Sequence, residues 1–298
     1  MMKIVDDSFQ PNAQSIKTLL LKVKERCKDF KKIKAESKLN HDEWLMYMRS
    51  VWRFNHMTSY VKTGIHPAQF SAEIPHRLIK LYTFKNEIVL DPFVGVGTTA
   101  IEAMKLERFS IGIDINVEFL NVARERAYMF LNENLEAGKF KEYLPLFIHG
   151  DARNLSFLPK ECIHLVIAHP PYWNVVKTST LSEDLGNIDD YDAFLTEMKK
   201  VFEEVHRVLH PERVFAVFTG DVLRRVKNIT QLYPLHSDYI QIAKKVGFRL
   251  WDIFIVETKI RMSGGKPMMG SYPYPHKLFS EFAHNYLLIF RKNQNHEG

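Results

Sequence analysis

The stretch Ile88-Val89-Leu90-Asp91-Pro92-Phe93-Val94-Gly95-Val96-Gly97-Thr98-Thr99-Ala100, continued by Phe109-Ser110-Ile111-Gly112-Ile113-Asp114-Ile115-Asn116, decides how this chain is read. Ile88, Val89 and Leu90 form a short apolar run of the kind that makes a buried parallel strand. Pro92 and two glycines break it, and from Thr98 the spacing predicts a helix with Ile101, Met104 and Leu106 inward. Gly95 and Gly97 remove side chains where the backbone must turn sharply and let a ligand approach closely. A second strand, Phe109 to Ile113, leads to Asp114, 17 residues after Gly97. An acid at a strand tip is placed to accept hydrogen bonds from a ribose diol.

That spacing describes a nucleoside-cofactor site, which a nicotinamide dehydrogenase would largely satisfy. Two details argue against one. Thr98-Thr99 stand where the dinucleotide fingerprint has its third glycine, and Asp91 would crowd a pyrophosphate but suit a cationic amino acid. S-adenosylmethionine has the ribose, the adenine and an ammonium, and no phosphate. Asp-Pro-Phe-x-Gly-x-Gly-Thr-Thr closely resembles motif I of the amino-methyltransferases that modify cytosine N4 or adenine N6. The resemblance implies that Asp91, Pro92, Phe93, Gly95, Gly97, Thr98 and Thr99, with Asp114 and Ile115, hold S-adenosylmethionine.

Three further segments carry the same resemblance. Thr63-Gly64-Ile65-His66-Pro67-Ala68-Gln69-Phe70 is similar to motif X, a turn over the methionine end of the cofactor, which assigns Ala68, Gln69 and Phe70 to cofactor binding. A third strand, Leu144 to Ile148, ends in Gly150-Asp151-Ala152-Arg153; the family places an acid here on the adenine amino group, so Asp151 and Ala152 take that position. A turn that binds nothing is the alternative. The fourth strand, Ile163 to Ala168, delivers His169-Pro170-Pro171-Tyr172, similar to the family's catalytic Asp/Asn/Ser-Pro-Pro-aromatic element.

The chemistry needs those residue types. An exocyclic amine on a base is a poor nucleophile because its lone pair is conjugated into the ring. Two acceptors, the first-position side chain and the Pro170 carbonyl, draw the nitrogen toward tetrahedral geometry. Two prolines with fixed φ hold that carbonyl rigidly, and Tyr172 is placed to stack on a base swung out of its helix. His169 departs from the common pattern. A neutral imidazole offers one acceptor nitrogen and an imidazolium none.

Net charge is +6, and nine Lys/Arg against three acids between Asn12 and Leu39 account for all of it. Asn12 can cap a helix with Ile16, Leu20, Val23, Cys27 and Phe30 on one face and the basic stripe opposite. The stripe suits an anionic polymer or is a solvated face. Lys24, Lys28 and Lys31, with Lys177 and the pair Arg224 and Arg225, are the candidate nucleic-acid contacts. A second helix is expected over His41 to Arg53, its Trp44 and Trp52 docking on the main domain. Lys177 to Asp190 reads as a mobile polar loop beside the target base, and Met262 to Lys277 as an exposed loop or lid.

Hydrophobic content of 46% with 26% charged residues is ordinary for a soluble globular chain. No apolar run of membrane-spanning length and no signal peptide is read, and Cys27 and Cys162 cannot make a metal cluster by themselves, so reduced thiols in a cytoplasmic protein without a metal are expected. The expected fold is α/β, a seven-stranded doubly wound, Rossmann-like methyltransferase sheet over residues 61–298, preceded by a basic helical extension over 1–60. The expected activity is methyl transfer to a nucleobase amino group, cytosine N4 above all. Little of the chain is left over to read a base sequence, which points to structured RNA such as ribosomal RNA; DNA cytosine-N4 or adenine-N6 methylation is the alternative. A release-factor-type glutamine methyltransferase and a non-catalytic nucleic-acid-binding protein are the remaining readings.

Overall fold

The computed structural model describes residues 39–54, 71–133, 137–226, 229–257 and 283–293, together with Leu21. The expected basic helix with Lys24, Lys28 and Lys31, the turn with Ala68, Gln69 and Phe70, and the loop from Met262 to Lys277 lie outside the described residues.

The helix expected over His41 to Arg53 is shorter than its apolar pattern suggests. Asn40 caps α1 (His41–Tyr47): its Oδ1 accepts from the Glu43 N–H at 2.8 Å while Glu43 accepts from the Asn40 N–H, a reciprocal capping box. The chain then turns into β1 (Val51–Trp52), parallel to β9 (Phe248–Glu257). Trp52 is buried and donates its indole N–H to the Tyr47 carbonyl at 3.1 Å. The Arg77 guanidinium lies over Tyr47, Trp52 and Phe54, 4.7–5.2 Å from their ring centres. Trp52 thus docks as expected, whereas Trp44 is exposed. β1 extends the main sheet at one edge, next to β9.

Arg77 lies on α2 (Glu73–Tyr82). After it come β2 (Ile88–Asp91), α3 (Thr98–Lys105), β3 (Phe109–Asp114), α4 (Val117–Glu133), β4 (Leu146–His149) and β5 (Ile163–Ala168). Then follow α5 (Tyr191–Val208), β6 (Leu209–Thr219), a hairpin of β7 (Val222–Val226) and β8 (Ile229–Tyr233), α6 (Leu235–Val246), β9 and β10 (His284–Lys292). The main sheet runs β1-β9-β10-β6-β5-β2-β3-β4, the seven expected strands plus β1, and β7-β8 form a separate ribbon. Among the described strands of the main sheet, only β10 runs antiparallel to its neighbours.

Period-two alternation divides the core between the two faces. Leu165, Ile167, Val214 and Ala216 pack with Ile74, Leu78 and Ile79 of α2. Val166, Ala168, Phe215 and Val217 pack with Phe194, Met198, Val201 and Phe202 of α5. Pro211 sits inside β6, where the β5–β6 register shifts between Ile163 and Leu165 and Glu212 takes φ 62°. An irregular stretch tolerates a proline that a regular ladder would not. Strand order reverses between β2 and β5, and in open α/β sheets ligands bind beyond the carboxyl ends at such a switch point.

Candidate functional site

A crevice opens at that switch point, enclosing about 1110 Å³ with the solvent at its mouth included. It brings together the two decisive sequence elements. Pro92, Phe93, Gly95 and Thr98 come from the β2–α3 turn, Asp114 and Ile115 from the tip of β3, Asp151 and Ala152 from the turn after β4, and His169, Pro170, Pro171 and Tyr172 from the end of β5.

The β2–α3 turn is held by its own acids. Asp91 Oδ1 accepts from the Phe93 N–H at 2.9 Å, and Asp114 Oδ2 accepts from the Gly95 N–H at 2.8 Å. Asp114 Oδ1 accepts from the Asn116 N–H at 2.8 Å. Each carboxylate oxygen can take a second hydrogen bond, so Asp114 retains acceptor capacity for a diol at the crevice wall. Burial pushes its carboxyl up to about 6, against the pull of the two N–H donors.

Three of the residues expected at the cofactor are engaged in local packing. Asp91 lies beneath the crevice at 3% exposure, where burial pushes it up to about 7. Thr99 is fully buried. Gly97 takes φ 87° at the N-cap of α3, and a Cβ there would come within 2.8 Å of the Ala123 Cβ. That glycine serves the packing of α3 on α4 rather than the approach of a ligand.

Asp151 lines the crevice but is clamped by Arg153, whose guanidinium donates to both carboxylate oxygens at 2.6–3.0 Å. Arg153 also pairs with Glu197 and donates to the Glu183 carbonyl, both at 2.7 Å. The loop after Lys177, expected to be mobile and beside the target base, is closed by its own hydrogen bonds over the cofactor end. The Asp184 carboxylate accepts from Thr178, Ser179 and the Gly186 N–H, and Asn116 donates to the Thr178 carbonyl at 3.1 Å. Lys177 is exposed on this loop. Nothing in the local sequence marks Asp184 as the centre of that network, because its partners are ordinary polar loop residues.

His169 stands at the end of β5 with its ring edge-on to Phe218 at 5.0 Å and to Tyr172 at 5.5 Å. Burial raises the Tyr172 hydroxyl well above the usual phenol range, which leaves the residue a neutral aromatic wall. The next residue, Trp173, is buried with φ 53°, a left-handed conformation uncommon for a bulky side chain. It is gripped by Tyr191, Tyr233 and the Arg224 guanidinium, with ring distances of 4.8–5.2 Å. Arg224 also donates to the Asn174 carbonyl at 3.1 Å and to its Oδ1. Arg224, a candidate nucleic-acid contact, thus anchors the turn after Tyr172, and Arg225 is exposed. Trp173 is quotable in the sequence but shows its role only beside Arg224, 51 residues on.

Gly220, at the tip of β6, is squeezed against the same turn: a Cβ would lie 3.0 Å from the Tyr172 ring and 2.4 Å from Asn285 Oδ1. Beside it, Asp221 accepts from His236 Nδ1 at 2.7 Å, and the His236 ring stacks on Tyr286 at 4.0 Å.

The charge of the crevice tests the cofactor. Among the described residues its lining carries Asp114, Asp151, Glu183 and Asp184 and no Lys or Arg. Four carboxylates repel a pyrophosphate and suit a ligand with a sulfonium, an ammonium and a ribose. Ile115, Ala152, Val176 and Leu185 supply apolar wall for a nucleobase. Among the described residues no group of His, Cys, Asp and Glu could hold a metal ion, and no helix is long and apolar enough to cross a membrane.

Comparison with known proteins agrees with this geometry. The family model described as DNA methylase matches residues 9–125 and 163–297. The Type II methyltransferase M.BglI of Bacillus subtilis is 37% identical over 108 residues, 36% of this chain and 30% of that protein. M.MjaI of Methanocaldococcus jannaschii is 28% identical over 171 residues, 49% of this chain and 55% of that protein. The matches thus span from under a third to just over half of these relatives' own length. A DNA modification methylase structure from Thermus thermophilus, complexed with S-adenosyl-L-methionine, is 31% identical, covers 50% of this chain and 56% of that one, and has a TM-score of 0.36. The assignment rests on the sequence match over both parts of the catalytic sheet: the chain belongs to the N6/N4 DNA methylase family.

Proposed function

We propose that this protein transfers a methyl group from S-adenosylmethionine to the exocyclic amino group of cytosine or adenine in DNA. The observation that carries the reading is one crevice lined at one end by Asp114, Glu183, Asp184 and the Arg153-paired Asp151, and at the other by His169-Pro170-Pro171-Tyr172. The cofactor supplies an electrophilic methyl on sulfur. Asp114 accepts from its ribose, and the Ile115, Ala152 and Leu185 walls exclude water from its base. At the other end a neutral His169 ring and the Pro170 carbonyl accept the two amine N–H bonds, and the Tyr172 ring flanks the base. The amine nitrogen gains the methyl and loses one proton.

Structured RNA, the substrate expected from the small size of the non-core segments, is not supported. The family is described as DNA methylase, and M.BglI and M.MjaI are Type II methyltransferases. The test is incubation of the full chain with methyl-tritiated S-adenosylmethionine and, in parallel, unmethylated genomic DNA, total RNA and cell protein. N4-methylcytosine or N6-methyladenine in the DNA digest is expected. Label confined to RNA or to protein glutamine overturns the reading.

A further inference from the structure

The β7–β8 hairpin is rooted in the core by Val222 and Tyr233, and none of its described residues lines the crevice. It grows from the tip of β6, at the same end of the sheet as the crevice, and forms its own two-stranded sheet. Register pairs Arg224 with Gln231 and Arg225 with Thr230. Side chains alternate across a strand, so the Arg224 face turns inward onto Trp173 and the Arg225–Thr230 pair faces away, next to the Leu223–Leu232 pair.

This outward surface is costly to maintain. On it Leu232 is 47% exposed, and Arg225 and Thr230 are exposed beside it. An isolated two-stranded hairpin is marginally stable in water, so the ribbon owes its order to Val222 and Tyr233 packed on the core and to the Arg224 anchor on Trp173 and Asn174. That anchor also fixes the ribbon relative to the residues that follow Tyr172. The residues from Val222 to Tyr233 carry Arg224, Arg225 and Lys227 and no acid.

We infer that the β7–β8 ribbon is the duplex-reading element, entering the major groove of DNA beside the base presented to His169 and Tyr172. Five residues per strand reach roughly 17 Å, and the B-form major groove, about 12 Å wide, admits a two-stranded ribbon. Arg225 suits guanine or phosphate, Thr230 suits a base edge, and Leu232 suits a thymine methyl. The deep, narrow groove of A-form RNA would exclude the same ribbon. This rests on the DNA methyltransferase reading and supplies the base-reading surface that the small non-core segments lack.

The experiment compares the full chain with Arg225→Glu, with Thr230→Ala combined with Leu232→Ser, and with Lys244→Glu, an exposed charge control on α6. Methyl transfer is measured on unmethylated genomic DNA, native and heat-denatured, and binding by anisotropy of a fluorescein-labelled random-sequence duplex. The ribbon variants should lower the native-to-denatured activity ratio roughly tenfold or more and weaken duplex binding, and Arg225→Glu should flatten its dependence on log salt. Cofactor affinity by calorimetry and the Lys244→Glu ratio should not move. An unchanged ratio with unchanged anisotropy, equal losses on both DNA forms, or preference of the ribbon for a folded transcript overturns the inference. If the unaltered chain methylates no DNA at all, the function reading fails instead, and the duplex anisotropy still decides the ribbon.

Discussion

The guanidinium of Arg224 lies 5.0 Å from the ring centre of Trp173, and through that contact the β7–β8 ribbon holds the turn that follows Tyr172. The turn needs holding, because Trp173 sits at φ 53°, a conformation that persists only where its surroundings over-determine it.

Arg224→Ala removes the cation–π contact and the hydrogen bonds to Asn174. We expect a loss of roughly 1–3 kcal/mol in stability and a larger fall in kcat than in cofactor affinity, because the cofactor end does not touch Arg224. Arg224→Lys should not restore the rate, since an ammonium cannot reproduce the planar stacked fork. Denaturant unfolding, single-turnover rates and calorimetry with S-adenosylmethionine check this. Equal loss of rate and cofactor affinity would show a global effect.

Asp114→Ala deletes the ribose acceptor and the partner of the Gly95 N–H. Cofactor binding should weaken by ~1.5–3 kcal/mol, the scale of a hydrogen bond to a charged group. In the unaltered protein the acid is pushed up to about 6 by burial, and the carboxylate is the better acceptor. Affinity should therefore be flat above pH 7 and fall as pH drops through about 6. Titrations at several pH values test the slope; a pH-independent affinity would exclude Asp114 from the ribose contact.

Asp91 makes a stability prediction of known sign. Burial raises its folded-state value from the ordinary 3.8 to about 7, so the native state binds the proton more tightly than the unfolded chain. That contribution is complete below about 4 and is lost as pH rises through about 7. Asp91→Asn keeps an oxygen for the Phe93 N–H and does not ionise. It should stabilise the ligand-free protein by ~2–4 kcal/mol at pH 8 and change little at pH 4. Thermal melts across that range decide it, and equal shifts at both ends would refute a titrating Asp91.

His169→Ala should lower the single-turnover rate roughly 10²–10³-fold, the scale for deleting one preorganised transition-state hydrogen bond. His169→Asn restores an acceptor that does not titrate and should retain part of the activity. It should also lose whatever acid limb the unaltered enzyme shows, since imidazolium has no acceptor nitrogen. Cofactor binding should survive both changes. A near-normal rate in the alanine variant would mean that His169 only packs on Phe218 and that the Pro170 carbonyl and the Tyr172 ring orient the amine unaided.

The sequence by itself determined the cofactor turn, the succession of strands from Ile88 to Ala168, and the Pro-Pro-Tyr element, because each is written in residues a few positions apart. An apolar run, a glycine at a positive φ and a helical period are local properties, and they survive folding unchanged. Tertiary structure decided what depends on distant residues meeting. Trp52 left a helical pattern to become a strand because its indole fills the core against Phe254, 202 residues on. Gly97 is a packing glycine because Ala123 lies opposite, and Asp91 is a buried acid because the crevice floor covers it. Arg224 and Arg225 are indistinguishable neighbours in the chain, yet a strand sends successive side chains to opposite faces. One therefore anchors the turn after Tyr172, and the other faces outward.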